Sequence, residues 1–225
     1  MNDLQKKDTS EILTIRYMST LFPSFVTPFL EGYHSRYARL KLDLMCSPIE
    51  TIITDLTSHT IDAGFVSVNT TLDRSMSHLK FTPVLKSRMV LGCSKENALL
   101  KKEVITPEDL QSQIFCLYNE AFQDMLFERL QFLCGPLRMV MRVDDVWAMH
   151  EAITRLNAVC LGRQALGMLS RDNLMNDICQ IEIGHLIDDN TTLGWLSNPA
   201  YELSDIKKKL LREITEDIKK NAESH

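Results

Sequence analysis

Small hydroxyl, amide and charged side chains recur in this chain directly after stretches that read as strands. Ser19 and Thr20 follow ILTIRY (12–17), Asn69 and Thr70 follow IDAGFVSV (61–68), and Tyr118 and Asn119 close and follow IFCLY (114–118). Asp144 and Asp145 follow LRMVMRV (137–143), and Gly162 and Arg163 close and follow AVCLG (158–162). Such groups are suited to binding. Ser and Thr are preferred helix caps, and the same helix start, with its free N–H groups and dipole, also favours an anion. Both roles are open to Ser19 and Thr20. Arg163 offers a bidentate fork to a carboxylate across a cleft, or else is a surface arginine. Asp144 and Asp145 read first as caps of the next helix; facing a cleft, either would favour an amino group.

Catalytic chemistry has little support. His34, His59, His78, His150 and His185 have no metal-ligand spacing and no neighbouring Cys or Ser partner. There is no Gly-rich phosphate loop and no carboxylate pair placed for acid–base work. The expectation is a protein that is not an enzyme, with no cofactor and no metal. Six cysteines are widely spaced without a C-x-x-C pair and read as small buried hydrophobes, so neither a zinc site nor a disulfide framework is expected. Trp147 and Met149 read as core.

The elements that must position these residues follow from hydrophobic period. ILTIRY alternates as a strand, residues 20–37 are helical with Leu21, Phe25, Phe29 and Tyr33 at steps of four, and RLKLDLMC (39–46) alternates again. In SPIETIITDL (47–56), Ser47 reads as cap, Pro48 as the first helical residue and Glu50 as the acid of a capping box. Ile49, Ile52, Ile53 and Leu56 make one apolar stripe. The nearly continuous apolar run at 61–68 is the pattern of a strand covered on both faces. Residues 12–68 thus read β-α-β-α-β, a parallel sheet with right-handed crossovers.

FTPVLKSRMVLGCS (81–94) reads as one or two strands. The order then restarts: strand 114–118, helix 120–133, strand 137–143, helix 145–156, strand 158–162 and a short helix from Gln164. Strands 179–184 and 191–197 and a polar helix from Ser204 to about Lys220 complete the chain. Two such halves joined by the strands near 86–94 and 191–197 make a two-lobed α/β molecule with a cleft. Ligands of open α/β sheets sit off the carboxyl ends of the strands, which is where the polar residues above fall.

The chain has 225 residues, 44% of them hydrophobic, enough for one large core or two small ones. Its 25 basic and 30 acidic residues are spread evenly, for a net charge of −5, and leave no basic face for nucleic acid. No apolar run reaches the ~18 residues of a membrane span, and the polar start MNDLQKKDTSE lacks a signal-peptide core. A cytoplasmic location is expected.

In the order and spacing of LTIRYMSTLFPSFVTPFLEGYHSRY, RLKLDL, IDAGFV, FTPVLKSRMVLGCS, TPEDLQSQIFCL and VDDVWAMHEAITRLNAVCLG, the chain resembles the effector-binding domain of LysR-type transcriptional regulators over about residues 12–197. The resemblance implies two Rossmann-like lobes joined by two crossover strands, a fold like the type 2 periplasmic binding proteins. Lobe I would hold 12–86 and 191–225 and lobe II 87–190, after a polar extension at 1–11. It implies a small effector in the cleft, expected to carry a carboxylate, held by Ser19, Thr20, Asn69, Thr70, Tyr118, Asn119, Asp145 and Arg163. It also implies a homodimer or tetramer, with the 20–37 helix and 39–46 strand of one subunit against the 120–133 helix of the other. The residues before Ile12 are too few for the family's winged helix-turn-helix. The expectation is an excised effector domain that meets DNA only through that absent part. Two departures concern the cleft: Asn157 stands where the family's approach to the strand at 158 has glycine, and Arg163 where proline is common. The rival readings are a stand-alone solute-binding protein, which normally carries a signal peptide or lipid anchor, and an enzyme on the same scaffold, which needs an activated cleft residue.

Overall fold

The computed structural model describes residues 11–18, 32–69, 76–164, 177–187 and 191–223. Strand β1 (Glu11–Tyr17) lies between β2 (Leu40–Cys46) and β3 (Ala63–Asn69), parallel to both. β10 (Thr191–Ser197) then pairs antiparallel with β3 and with β4 (Lys80–Ser87), giving a five-stranded sheet ordered β2-β1-β3-β10-β4. Helix α1 (Ile49–Thr57) covers it with Ile52 and Leu56 buried and Ile49 and Ile53 half-buried, which is the stripe read from the sequence. The close packing depends on Gly64, where a Cβ would lie 2.4 Å from the Ile52 Cγ2.

One residue, Arg88, separates β4 from β5 (Met89–Ser94), yet the two strands belong to different sheets. The run at 81–94 is therefore two strands. β5 pairs antiparallel with β8 (Cys160–Arg163) and β9 (Ile178–Glu182). β6 (Ile114–Tyr118) pairs in parallel with β7 (Arg138–Val143). A parallel bridge between Phe115 and Val159 ties β6 to the approach of β8, with Cys116 N donating to Val159 O at 3.0 Å and Val159 N to Ile114 O at 2.8 Å. The order β7-β6-β8-β5-β9 repeats that of the first sheet. In each case the fourth strand arrives from the other lobe, because the chain crosses between lobes at β4–β5 and again at β9–β10.

Helices α2 (Pro107–Gln111), α3 (Ala121–Cys134) and α4 (Val146–Leu156) pack on the second sheet, and α5 (Asp205–Glu223) returns to the first. One apolar core draws on Leu13, Phe65, Val84, Trp195 and Ile214; a second draws on Leu91, Leu117, Leu130 and Ile183. Phe122, half-buried on α3, packs against both. Asp62 ties the return of the chain into the first lobe: it accepts from Thr14 N at 2.8 Å and pairs with Lys207 of α5 at 2.9 Å.

Three local expectations change. The cap of α1 is Pro48, with no side-chain hydrogen bond, because Ser47 N is held on Tyr17 O at 3.0 Å and keeps Ser47 on the sheet side of the helix start. Trp147 is 65% exposed while Met149 is buried, since the inward stripe of α4 runs through Met149, Ala152 and Ile153. All six cysteines are free; Cys93, Cys116 and Cys134 are buried, Cys160 and Cys179 partly so, and Cys46 is exposed.

Candidate ligand cleft

A cavity of about 180 Å³ opens between the lobes. Cys46, Ser47 and Pro48, at the end of β2 and the start of α1, form one wall. Tyr118, Asn119 and Glu120 after β6, with Val143 and Asp144 after β7, form the other. Every wall thus lies at the carboxyl end of a parallel strand, where the peptide groups of a following helix begin.

Three helix starts meet at this place. Asp145 caps α4 by accepting from Ala148 N at 2.9 Å. The starts of α1 and α3 have no side-chain cap from Pro48 or Glu120. Ser47 is 7% exposed and lines the cavity. Burial raises the Cys46 thiol above its ordinary pKa, and the nearby Glu120 adds to the rise. Burial, reinforced by Cys160 and Glu120, raises the Tyr118 phenol. Both stay neutral at physiological pH. Among the described lining residues there is no Lys or Arg; Arg142, next along β7, is bound to Asp124 on α3 at 2.7 Å.

Of the residues expected to bind, Tyr118 and Asn119 line the cavity. Asp145 serves as a cap and its neighbour Asp144 lines the wall instead. Arg163 is 4% exposed and is not among the wall residues; its guanidinium lies 5.2 Å from the centre of the Phe122 ring. Burial lowers its pKa to about 10, which leaves it charged at neutral pH. Asn69 ends β3 opposite Thr191, and its side chain lies outside the described residues, as do Ser19, Thr20 and Thr70. Cys46, Ser47 and Glu120 also line the cavity and were not expected there from the sequence. The strand-end rule, applied to the strand at 39–46, would have found Ser47, but its reading as a helix cap masked it.

Asn157, in the place of a glycine, adopts the left-handed conformation at φ 53° and ends α4. Its amide oxygen accepts from Ser94 Oγ at 2.8 Å and from Asn97 Nδ2 at 3.2 Å, so asparagine replaces glycine's freedom with two tertiary bonds. Among the described residues no cluster of three or more His, Cys, Asp or Glu is placed to hold a metal. Among them, too, no helix is long and apolar enough to cross a membrane.

Two α/β lobes, two crossing strands and a cleft at the strand ends define a bilobed binding fold of the type 2 periplasmic-binding-protein kind. The LysR substrate binding domain model matches residues 6–165, and the chain belongs to that family: it is an effector-sensing regulatory domain. Similar solved structures carry the fold at low identity. The CcmR regulatory domain of Synechocystis PCC6803, in complex with 2-PG, aligns with a TM-score of 0.74 at 16% identity over 93% of this chain and 98% of that one. HinK, a LysR family transcriptional regulator from Pseudomonas aeruginosa, aligns with a TM-score of 0.70 at 13% identity over 94% of this chain and 72% of that one. The reduced OxyR regulatory domain from Pseudomonas aeruginosa gives 0.68 at 11% identity, over 94% and 98%. No curated protein sequence matches the chain.

Proposed function

We propose that the interlobe cavity is the effector site of a LysR-type regulator, and that a small polar metabolite bound there controls DNA binding by a helix-turn-helix domain of the whole regulator. The observation that carries this reading is the origin of the walls: Ser47 comes from one sheet, while Tyr118, Asn119 and Asp144 come from the other. A ligand that touches both walls favours one spacing of the lobes by its differential affinity for that spacing. The relative solved with 2-PG supports a small molecule in this fold. Lobe boundaries at 86/87 and 190/191 follow the two crossings. The reading includes no catalysis and a cytoplasmic location, and it keeps Ser19 and Thr20, expected from the sequence to start a helix, as members of the site.

The test is a thermal-shift screen of small metabolites against the chain and an Asn119→Trp variant that fills the cavity. A compound that stabilises the parent and not the variant supports the site. Stabilisation of both to the same extent places the ligand elsewhere and overturns it.

A further inference from the structure

Four of the cysteines lie on neighbouring strands of the second lobe: Cys116 on β6, Cys160 on β8, Cys93 on β5 and Cys179 on β9. They make two cross-strand pairs. Cys93 and Cys179 are direct partners in the antiparallel β5–β9 ladder. Cys116 and Cys160 stand one step beyond the parallel Phe115–Val159 bridge that joins β6 to the approach of β8.

Geometry separates the two pairs. Directly opposed Cα atoms of antiparallel strands lie about 4.5–5.5 Å apart, inside the range of about 4.4–6.8 Å that a disulfide spans. Opposed side chains leave the sheet on the same face, and Cys93 and Cys179 both pack on the second core. Their thiols are near enough to interact, since the charge of Cys179 adds to burial in raising Cys93. The other pair is turned apart. The Cys160 Sγ lies over Gly92 of β5, where a Cβ would come within 2.7 Å of it. Because β8 stands between β5 and β6, that sulfur points away from Cys116.

Access differs within the first pair. Cys179 is partly exposed and Cys93 is fully buried behind it. An oxidant arriving from solvent meets Cys179, and Cys93 is the thiol in place to resolve the product. The pair also occupies a mechanical position. Among the described strands β9 pairs with β5 alone, so it is the edge of its sheet. β5 follows one crossing between the lobes and β9 precedes the other.

We propose that Cys93 and Cys179 form a reversible dithiol–disulfide pair oxidised by a hydroperoxide, and that the bridge clamps the edge strand β9 to β5. The Cys179 thiolate attacks the peroxide: an S–O bond forms, the O–O bond breaks, and the leaving oxygen departs protonated as water or alcohol. The Cys93 sulfur then attacks the Cys179 sulfenic acid. The S–S bond forms, the S–O bond breaks, and the hydroxyl leaves with the Cys93 proton as water. Two electrons pass from the thiols to the peroxide, and a small thiol restores them by exchange. Since the thiolate is the nucleophile, the raised Cys93 thiol makes closure slow at neutral pH and faster as pH rises. The pair lies outside the cavity wall, so its oxidation is independent of what the cavity binds.

The experiment treats the reduced chain with hydrogen peroxide, alkylates the remaining thiols and maps the peptides by mass spectrometry. The expected result is a linked peptide pair carrying Cys93 and Cys179, with Cys116 and Cys160 alkylated and both linked thiols returned by dithiothreitol. Cys179→Ser should abolish the link and leave Cys93 reduced. Cys93→Ser should leave Cys179 as a sulfenic acid that dimedone traps. Circular dichroism of each variant checks the fold, and the parent's peptide map stands without either variant. Amide exchange over residues 178–182 should slow by about tenfold or more in the oxidised chain. Oxidation of Cys46 alone, with Cys93 and Cys179 still alkylated, overturns the pair, as does Cys179 ending as sulfinic acid beside a free Cys93. A Cys116–Cys160 link in its place overturns the assignment. A Cys93–Cys179 link with unchanged exchange in β9 overturns the clamp.

Discussion

Asn157 and Cys93 show how single positions answer to their surroundings. Asn157→Gly keeps the left-handed turn and removes the acceptor of Ser94 and Asn97, at an expected cost of about 1–3 kcal/mol. Asn157→Ala loses the same bonds and adds left-handed strain of about 1–2 kcal/mol. Urea unfolding should rank parent, glycine variant, alanine variant; equal stability of the two variants would show that strain plays no part. Cys93 is fully buried, and burial first, then Cys179, raises its thiol to about 11. The folded pKa lies above the unfolded one, so its contribution is complete below about pH 8.5 and is lost as pH rises through about 11. Cys93→Ser, which does not ionise there, should flatten the fall of stability across that window by up to about 1.4 kcal/mol per pH unit. Identical pH profiles of melting temperature would refute the assignment.

At the scale of elements, β10 is the strand on which the first sheet depends, because it joins β3 to β4 after crossing back from the second lobe. Gly194 lies at its bulge, where a Cβ would sit 2.4 Å from the Thr82 carbonyl oxygen and 2.7 Å from the Phe81 ring. Gly194→Ala cannot be relieved by turning a side chain alone, so the strand must move, and the expected loss is about 1–3 kcal/mol. At Gly64 the obstacle is the Cγ2 of Ile52, the end of a side chain, so Gly64→Ala should cost less. Denaturant midpoints of the two variants decide the order. Helix α3 answers a different question. Leu126 and Phe127, on the helix expected at a subunit interface, belong to the second core, whereas Phe132 is 89% exposed and is joined by exposed Met125 and Leu133.

For the whole molecule, those three side chains on α3 and the exposed Met45 near the end of β2 are the surface a second subunit would cover. Sedimentation at tens of micromolar, on the order of where standard interfaces hold, is expected to show a dimer. Phe132→Glu should shift it to monomer with little change in melting temperature, because the side chain is exposed in the single chain. A parent that sediments as monomer would remove this interface. The net charge of −5 leaves the chain without the counterion-release term that drives DNA affinity. A gel shift at low salt that survives competitor DNA would contradict that.

The period of the sequence determined the kind and order of the elements. Alternation in RLKLDLMC, the stripe Ile49–Ile52–Ile53–Leu56 and the β-α-β-α-β order of 114–162 are local properties, and the folded chain keeps them with boundaries moved by one or two residues, while most of the helix expected at 20–37 lies outside the described residues. Strand ends as the place of polar binding groups were legible for the same reason, and Tyr118 and Asn119 line the cavity. Which strand ends meet depended on tertiary structure, because pairing between sheets is set by contacts far apart in sequence. Ser47 faces Asn119 and Asp144 only because β2 of one lobe and β6 and β7 of the other end at one cleft. The burial of Arg163 beside Phe122, the exposure of Trp147 and the sorting of Leu126 into the core but Phe132 into solvent turn on which face of an element meets its neighbour. An amphipathic period defines a face, and only the packed neighbours decide what covers it.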